Sequence, residues 1–361
     1  MGSLTNTSVY FAKPPSPGPL SPQVFELKQQ VVPALKPGQI LVRNIYLSID
    51  AGNRAKLDDR ADYVVKSTVG EMEGGSGAVA QVVESLHPQW QAGDYLVTGN
   101  ARWQRYSIHT PQDQTSASKL DPMLAYLRML RKVDPTKGPL TMHLGMMGMV
   151  GFTAHIGISN IIKPKVGETV VISAAAGATG SCAGQFAKAR GARVVGIAGG
   201  AEKCQHVINT LGFDGCIDYK AGNLIQQLKH ACPEGIDGYF ENVGGDIQKA
   251  VFSQMNDYGR IAMCGQVGQY SGEGEVAGPN LMNVILRQLS LQGFLAIDHI
   301  AAFPDFLKSA QQQYDSGHLK PHCSITQGLE NSYEAINALV SGQNIGKQLC
   351  QVSSETTDTG V

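Results

Sequence analysis

Residues 170–184 read VVISAAAGATGSCAG, in which a β-branched run passes straight into a glycine-bearing turn and then into a helix start. A phosphate needs backbone N–H groups with no side chains in the way, and a helix N-terminus supplies them with the positive end of its dipole. Gly177 and Gly180 clear the turn, and Gly184, one helical turn on, lets the helix pack close to the strand. Set against G-x-G-x-x-G, Ala175-Ala176-Gly177-Ala178-Thr179-Gly180 fits with alanine at the first glycine. Gly177, Ala178, Thr179 and Gly180 are therefore the expected cradle of a dinucleotide pyrophosphate.

The next strand, Arg193 to Ala198, ends where an NAD-binding chain carries an acidic residue for the ribose 2′-hydroxyl. Here the chain reads Gly199-Gly200-Ala201-Glu202-Lys203. A carboxylate at the strand end would repel a 2′-phosphate, whereas two glycines leave room for one and Lys203 brings a positive charge near it. This favours NADP(H) over NAD(H). Glu202 weighs the other way, and its place at a helix start gives it a different task, favouring the helix dipole. The plainer reading of Lys203 is a solvated lysine on a first helical turn.

Outward from this motif the chain divides into three parts. From Val24 to about Lys132 it is β-rich and turn-rich, with short runs at Gln39 to Ser48, Ala78 to Val83 and Tyr95 to Thr98. From about Leu140 to Gln313 strands alternate with helices, the pattern of a doubly wound parallel sheet. Its strand candidates are Thr169 to Ala174, Arg193 to Ala198, Cys216 to Asp218, Gly238 to Glu241, Arg260 to Cys264 and Ser290 to Ala296. Helices are expected at Ser181 to Arg190 and Glu202 to Leu211. From Lys320 come a short strand, a helix at Leu329 to Ser341 and a final strand near Gln348 to Val352, which return to the N-terminal domain. The expected division is 1–132, 133–316, 317–352 and a disordered polar tail at 353–361.

Composition agrees with a two-domain enzyme. A chain of 361 residues exceeds what one core usually supports. Its 29 basic and 30 acidic residues are interspersed, so no nucleic-acid or membrane surface is indicated. The N-terminal residues lack an apolar signal core and no apolar run approaches a membrane span, so a cytoplasmic protein is expected and the Asn6-Thr7-Ser8 sequon carries no meaning. All seven cysteines lie in the second half with no C-x-x-C pair, which suggests neither a disulfide framework nor a structural zinc site.

This order of parts resembles the medium-chain dehydrogenase/reductase superfamily, which joins a GroES-like N-terminal domain to a Rossmann domain and ends with a C-terminal return. More narrowly the chain is similar to its zinc-free branch of prostaglandin reductases, plant alkenal double-bond reductases and bacterial curcumin reductase. The motifs that carry the resemblance are AAAGATGSCAGQFAK (174–188), the GGAEK and IDYK segments with Lys203 and Tyr219, ENVGG (241–245), CGQVGQY (264–270), GF (293–294) and NIGK (344–347). The resemblance implies that Tyr219 hydrogen-bonds the 2′-phosphate and that Phe294 and Asn344 touch the nicotinamide side. Ordinary packing is the alternative for each. Asn242, at the carboxyl end of a strand, presents an amide to the cofactor, or else caps the turn before Gly244-Gly245. Cys264-Gly265, at the next strand end, is expected to offer backbone contacts, with the thiol simply packing. Thr153 is expected to help close the site, a helix-start cap being the other reading.

Catalytic zinc in this superfamily needs a cysteine near the Ser48 region and a Gly-His-Glu motif, because the metal takes thiolate and imidazole ligands. This chain has Met72-Glu73-Gly74 where that motif would fall, and its first cysteine is Cys182. The residues thus point to hydride delivery onto a carbon that is already electrophilic, as in a small hydrophobic enone or enal. Charge moves onto the carbonyl oxygen as an enolate, which needs a donor. Tyr270, the tyrosine of the C-G-x-x-x-x-Y segment, is the candidate donor, since a phenol with a pKa of about 10 donates while neutral. Its plainer role is an amphipathic wall residue, and the cofactor's own ribose hydroxyl could share the task. A quinone reductase, an allylic-alcohol dehydrogenase and a non-redox NADPH-bound cyclase or regulatory protein are the alternatives. A homodimer through the strand at Ser290 to Ala296 is a family-level expectation.

Departures from the family pattern fall on the substrate side. Asp50-Ala51-Gly52-Asn53-Arg54 lacks the usual pocket tyrosine, and Gly148-Met149-Val150-Gly151-Phe152-Thr153-Ala154-His155 lacks the usual proline and tyrosine. His155 would titrate in a cleft or simply be buried, Arg54 would bind a substrate carboxylate or form a structural ion pair, and Met142, Met146, Met147 and Met149 would make an adaptable apolar wall or fill core.

Overall fold

The structure, a computed structural model, describes residues 4–57, 65–74, 77–111, 121–269 and 277–355. The chain separates into two compact units, one running to Leu144 and resuming at Cys323, the other spanning Gly145–His322.

The first unit holds β1 (Thr5–Phe11), β2 (Phe25–Val31), β3 (Ile40–Ser48), β4 (Ala78–Ser85), β5 (Tyr95–Thr98), β6 (Tyr106–His109) and β7 (Leu130–Val133), then β14 (Cys323–Gln327) and β15 (Lys347–Gln351). Its helices are α1 (Ala51–Ala55), α2 (Pro122–Leu127) and α10 (Ser332–Val340). Seven strands form one sheet in the order β14-β15-β3-β4-β5-β7, with β6 on β3. β1 and β2 form a separate antiparallel pair. β1 lies ahead of the point where the sequence reading began the β-rich part. Its polar start hides it, but Val9 and Phe11 are buried against Val24 and Trp103. In the last part of the chain β15 pairs antiparallel with β3.

The second unit holds six parallel strands, β8 (Thr169–Ser173), β9 (Arg193–Ala198), β10 (Gly215–Asp218), β11 (Ile236–Glu241), β12 (Met255–Met263) and β13 (Ser290–Gly293), in the order β10-β9-β8-β11-β12-β13. Its helices are α3 (Met149–Ile156), α4 (Ala178–Ala189), α5 (Ala201–Asn209), α6 (Leu224–Ala231), α7 (Gly245–Phe252), α8 (Met282–Leu286) and α9 (Phe303–Asp315). Every neighbouring pair is parallel. The strand order therefore reverses at β8, and the carboxyl ends on either side of it form the crevice where open α/β sheets bind ligands. The strands are buried runs of Val, Ile and aromatic residues, as a sheet covered on both faces requires.

Three expected boundaries move. The first unit runs on to Leu144 because Leu140 and Leu144 complete a cluster with Ile45, Tyr46, Val79, Val97 and Leu349, and a cut at 132 would split β7. The second unit keeps its hold through Lys320, whose N–H and C=O both bond the buried Gln185 amide. The polar tail does not loosen at Ser353. Arg43 Nη1 donates to Ser354 O at 2.6 Å, and the Tyr46 hydroxyl donates to Glu355 Oε1 at 2.7 Å. The rest of that tail, 356–361, lies outside the described residues. Within the second unit β12 starts five residues before the expected Arg260, because a register shift between Ile236 and Gly238 carries Asn256–Gly259, which reads as a turn, as a bulge inside the strand. β13 is shorter than expected, since a 3-10 turn takes over at Ala296.

Candidate functional site

At the end of β8 the chain turns through Ala174, whose φ of +49° places an alanine in the left-handed region. Gly177 then caps α4, and no side chain bonds the helix start. The first-turn N–H groups of Ala178 and Thr179 therefore face the strand-end crevice as an anion site. The tightness of the turn depends on glycine. A Cβ on Gly180 would lie 2.3 Å from Ala174 O, and one on Gly177 would lie 3.1 Å from the same oxygen. Gly184 also permits a close approach, but to a different neighbour than expected. A Cβ there would fall 1.8 Å from Cζ of Phe213, so the helix meets the Phe213 ring rather than the strand.

The corner beyond β9 fits a 2′-phosphate. Gly199 sits against Tyr219 and Lys220, and a Cβ on it would come within 2.9 Å of the Tyr219 hydroxyl and 3.0 Å of Lys220 Cε. Burial pushes the Lys203 ammonium below its ordinary value, the Lys220 ammonium adds to this, and Glu202 opposes it. Two lysines that repel one another in a half-buried corner are a built place for a dianion. Glu202 is exposed in the first turn of α5, in accord with a dipole role. A carboxylate does reach this corner from β10. Asp218 Oδ1 accepts from Gly200 N at 2.8 Å and Lys220 N at 3.0 Å, fixing both loops by their backbones. Sequence reading passed over Lys220 and Asp218, although both stand beside Tyr219 in the IDYK segment.

At the centre of the crevice the strand ends are tied to a buried carboxylate. Glu241 Oε1 accepts from Ser173 Oγ at 3.1 Å, Val243 N at 2.7 Å and Gly244 N at 3.1 Å. Asn242 Nδ2 donates to Ser173 O at 2.7 Å, which leaves the amide oxygen and the second N–H for a ligand. The N–H groups of Cys264 and Gly265 both donate to Glu241 O, so any ligand contact there falls to their carbonyl oxygens. Burial, with the Glu241 charge behind it, pushes the Cys264 thiol up to about 12, which makes it a packing group and not a nucleophile.

Three of the remaining candidates have local partners of their own. Phe294 packs edge-on to Phe240 at 6.4 Å. Thr153 lies inside α3, where its hydroxyl donates to Met149 O at 2.8 Å, so it caps nothing. Asn344 belongs to the first unit and closes its own turn by donating to Gly346 O at 2.9 Å. Tyr270 lies outside the described residues. His155 packs between Phe186 and Phe306, and Met142, Met146 and Met147 are buried, so all four fill core.

In the first unit the Ser48 hydroxyl donates to Asp50 Oδ2 at 2.6 Å, and Lys347 Nζ lies 2.8 Å from Asp50 Oδ1. Burial works to raise the Asp50 carboxyl, and Lys347 with the Ser48 hydroxyl overcomes this and holds it below the ordinary carboxylate value. Glu73, where a Gly-His-Glu motif would place a metal ligand, is buried and taken up by Lys56 and by Ser67 Oγ at 2.7 Å. Among the described residues no group of three or more His, Cys, Asp or Glu is placed to hold a metal ion.

Residues 9–117 match a family described as the N-terminal domain of oxidoreductase, and residues 178–312 match one described as zinc-binding dehydrogenase. The chain is 37% identical to the NADPH-dependent curcumin reductase of Escherichia coli over 92% of this chain and 93% of that one. It is 39% identical to the 2-alkenal reductase (NADP(+)-dependent) of Nicotiana tabacum over 88% of each. Its fold matches the crystal structure of CurA from Vibrio vulnificus in complex with NADPH, with a TM-score of 0.84, 34% identity, and coverage of 96% of this chain and 99% of that chain.

Proposed function

Because this chain belongs to the medium-chain dehydrogenase/reductase superfamily and is an NADP(H)-dependent oxidoreductase, we propose that it reduces the carbon–carbon double bond of α,β-unsaturated ketones or aldehydes. The observation that carries this reading is the likeness, along nearly the whole chain, to a reductase named for 2-alkenals. NADPH, when bound, supplies the hydride, directed in this reading to the β-carbon. Gly177 to Gly180 hold the pyrophosphate, and Lys203, Tyr219 and Lys220 hold the 2′-phosphate. Asn242 and the Cys264-Gly265 carbonyls orient the nicotinamide half, to which Thr153 and Phe294 contribute contacts. Tyr270 donates a hydrogen bond to the substrate oxygen as its charge grows, so that no metal is needed there. Seven free cysteines suit a reducing compartment, and the cytoplasm is the one proposed.

The test is loss of reduced-nicotinamide absorbance with NADPH and a panel of enones, enals, quinones and saturated ketones. Turnover of enones and enals alone is expected, turnover of quinones alone would replace the reading with a quinone reductase, and no turnover of enones or enals would overturn it. Tyr270→Phe should lower kcat about 100-fold, the lower end for losing one donor to a developing oxyanion, with the KM for NADPH unchanged.

We also propose that the second unit pairs with a copy of itself. β13 ends the sheet and all its residues are exposed. Leu281, Ile285, Leu286 and Leu295 beside it are each at least 62% exposed. An open strand edge flanked by apolar side chains is a template for two-fold antiparallel pairing. Light scattering should give a dimer for the wild type and a monomer for Ile285→Glu/Leu295→Glu. A wild-type monomer at tens of micromolar would remove the proposal.

A further inference from the structure

Among the described residues Arg131 is a cation with no acid paired to it. It sits on the edge strand β7 opposite Val97, and burial lowers its pKa to about 10 with no carboxylate opposing the shift. It appears in none of the ion pairs among the described residues. Among the described residues its one side-chain hydrogen bond is to another base, with Nη2 lying 3.5 Å from Nδ1 of His143. His143 is 5% exposed, and burial together with Arg131 pushes its pKa down to about 3, so it is neutral and leaves the guanidinium charge whole. Since arginine can only donate, Nδ1 is the acceptor and the proton sits on Nε2. That Nε2 and Arg131 Nε are both buried with no partner.

Desolvating a guanidinium without a counter-charge is costly, and such a group is stabilised when an anion completes it. Arg131 Nε is closed off and the residue is partly exposed, so the approach is at the Nη1/Nη2 end. A planar fork pairs best with a carboxylate, two N–H groups to two oxygens. Side chains alternate along a strand, so Arg131 shares its face with Val133 and, across the pair, Val97 and Tyr95, members of the apolar cluster under Leu140. We propose that Arg131, held in place by His143, is the anchor of an unassigned site in the first unit that takes the carboxylate of an organic acid with an apolar body. Arg54, the residue the sequence put forward for such a task, is itself buried.

The carboxylate can belong to the alkene substrate or to a separate acid, and two measurements distinguish them. The first is a sodium propionate titration followed by the His143 ring signals in NMR spectra, assigned with His143→Gln, against sodium chloride at equal ionic strength. A saturable shift in the wild type, weaker in Arg131→Lys and absent in the volume-conserving Arg131→Met, is expected. A response identical to chloride, or equal saturation in Arg131→Met, overturns the proposal. The second, which rests on the alkene-reductase reading, compares an enone with its ω-carboxylate analogue. A KM for the acid raised about 10-fold to 100-fold in Arg131→Met, with the neutral enone and kcat unmoved, places the carboxylate on the substrate. Propionate binding without that KM change assigns the site to a separate acid. If no enone turns over, the reductase reading fails while the titration still decides the site.

Discussion

Replacing Lys203 and Lys220 together by alanine should raise the KM for NADPH about 100-fold and leave the KM for NADH within about threefold. A hydrogen bond to a charged group is worth about 1.5–3 kcal/mol, and each 1.4 kcal/mol is a factor of about ten in affinity. Lys220 is exposed and Lys203 is partly so, and solvent screening holds the pair to the low end of their sum. The same geometry predicts the sign of the coupling. Burial and mutual repulsion push Lys203 below its ordinary value, so removing Lys220 alone relieves the repulsion on Lys203 and costs less than half of the double change. A dianion is the source of the discrimination, so the wild-type KM for NADPH should climb with salt and the double variant should lose that slope. Steady-state kinetics with both cofactors at several salt concentrations check this. An equal loss for NADPH and NADH would mean that the two lysines only hold the fold, and the corner would no longer be a phosphate site.

The features legible in the sequence were those set by one local segment. The passage from β8 through Gly177 into α4 is fixed by β-branched residues and by glycines with no room for a Cβ, and β9 coincides with Arg193–Ala198 because nothing distant competes with its pattern. Features decided by tertiary partners were not legible. β1 has polar residues at its start, and only pairing with β2 makes it a strand. Asn256–Gly259 has turn composition, yet the bulge against β11 keeps it within β12. Thr153 reads as a cap until α3 is seen to begin at Met149. Glu241 reads as an ordinary strand-end acid, and only the convergence of Ser173, Val243 and Gly244 shows that it organises the crevice. Arg131 carries no sequence signal at all, because what distinguishes it is that no acid among the described residues pairs with it.

Gly184→Ala should destabilise the second unit by about 2 kcal/mol, against the ordinary expectation for a helix interior, where the same change gains about 1 kcal/mol. A Cβ at this position would lie 1.8, 2.4 and 2.5 Å from three ring carbons of Phe213. These are atoms of a rigid ring, not the end of a flexible chain. Phe213 is 3% exposed, so the ring cannot swing away without opening a void or displacing its neighbours. Overpacking of a filled core costs about 1–3 kcal/mol, and a contact this short takes the upper end, which outweighs the gain in propensity. At about 2–4 °C per kcal/mol for a unit of this size, Tm should fall by about 4–8 °C. Phe213→Leu alone should also destabilise, because it leaves space beside Gly184. Combined, the two should lose less than the sum of the single changes by about 1 kcal/mol or more, since the added methyl group enters the space the ring vacates. Thermal unfolding of the four proteins closes the cycle. Additive effects, or a Gly184→Ala variant more stable than the wild type, would mean that Phe213 does not set the approach of α4.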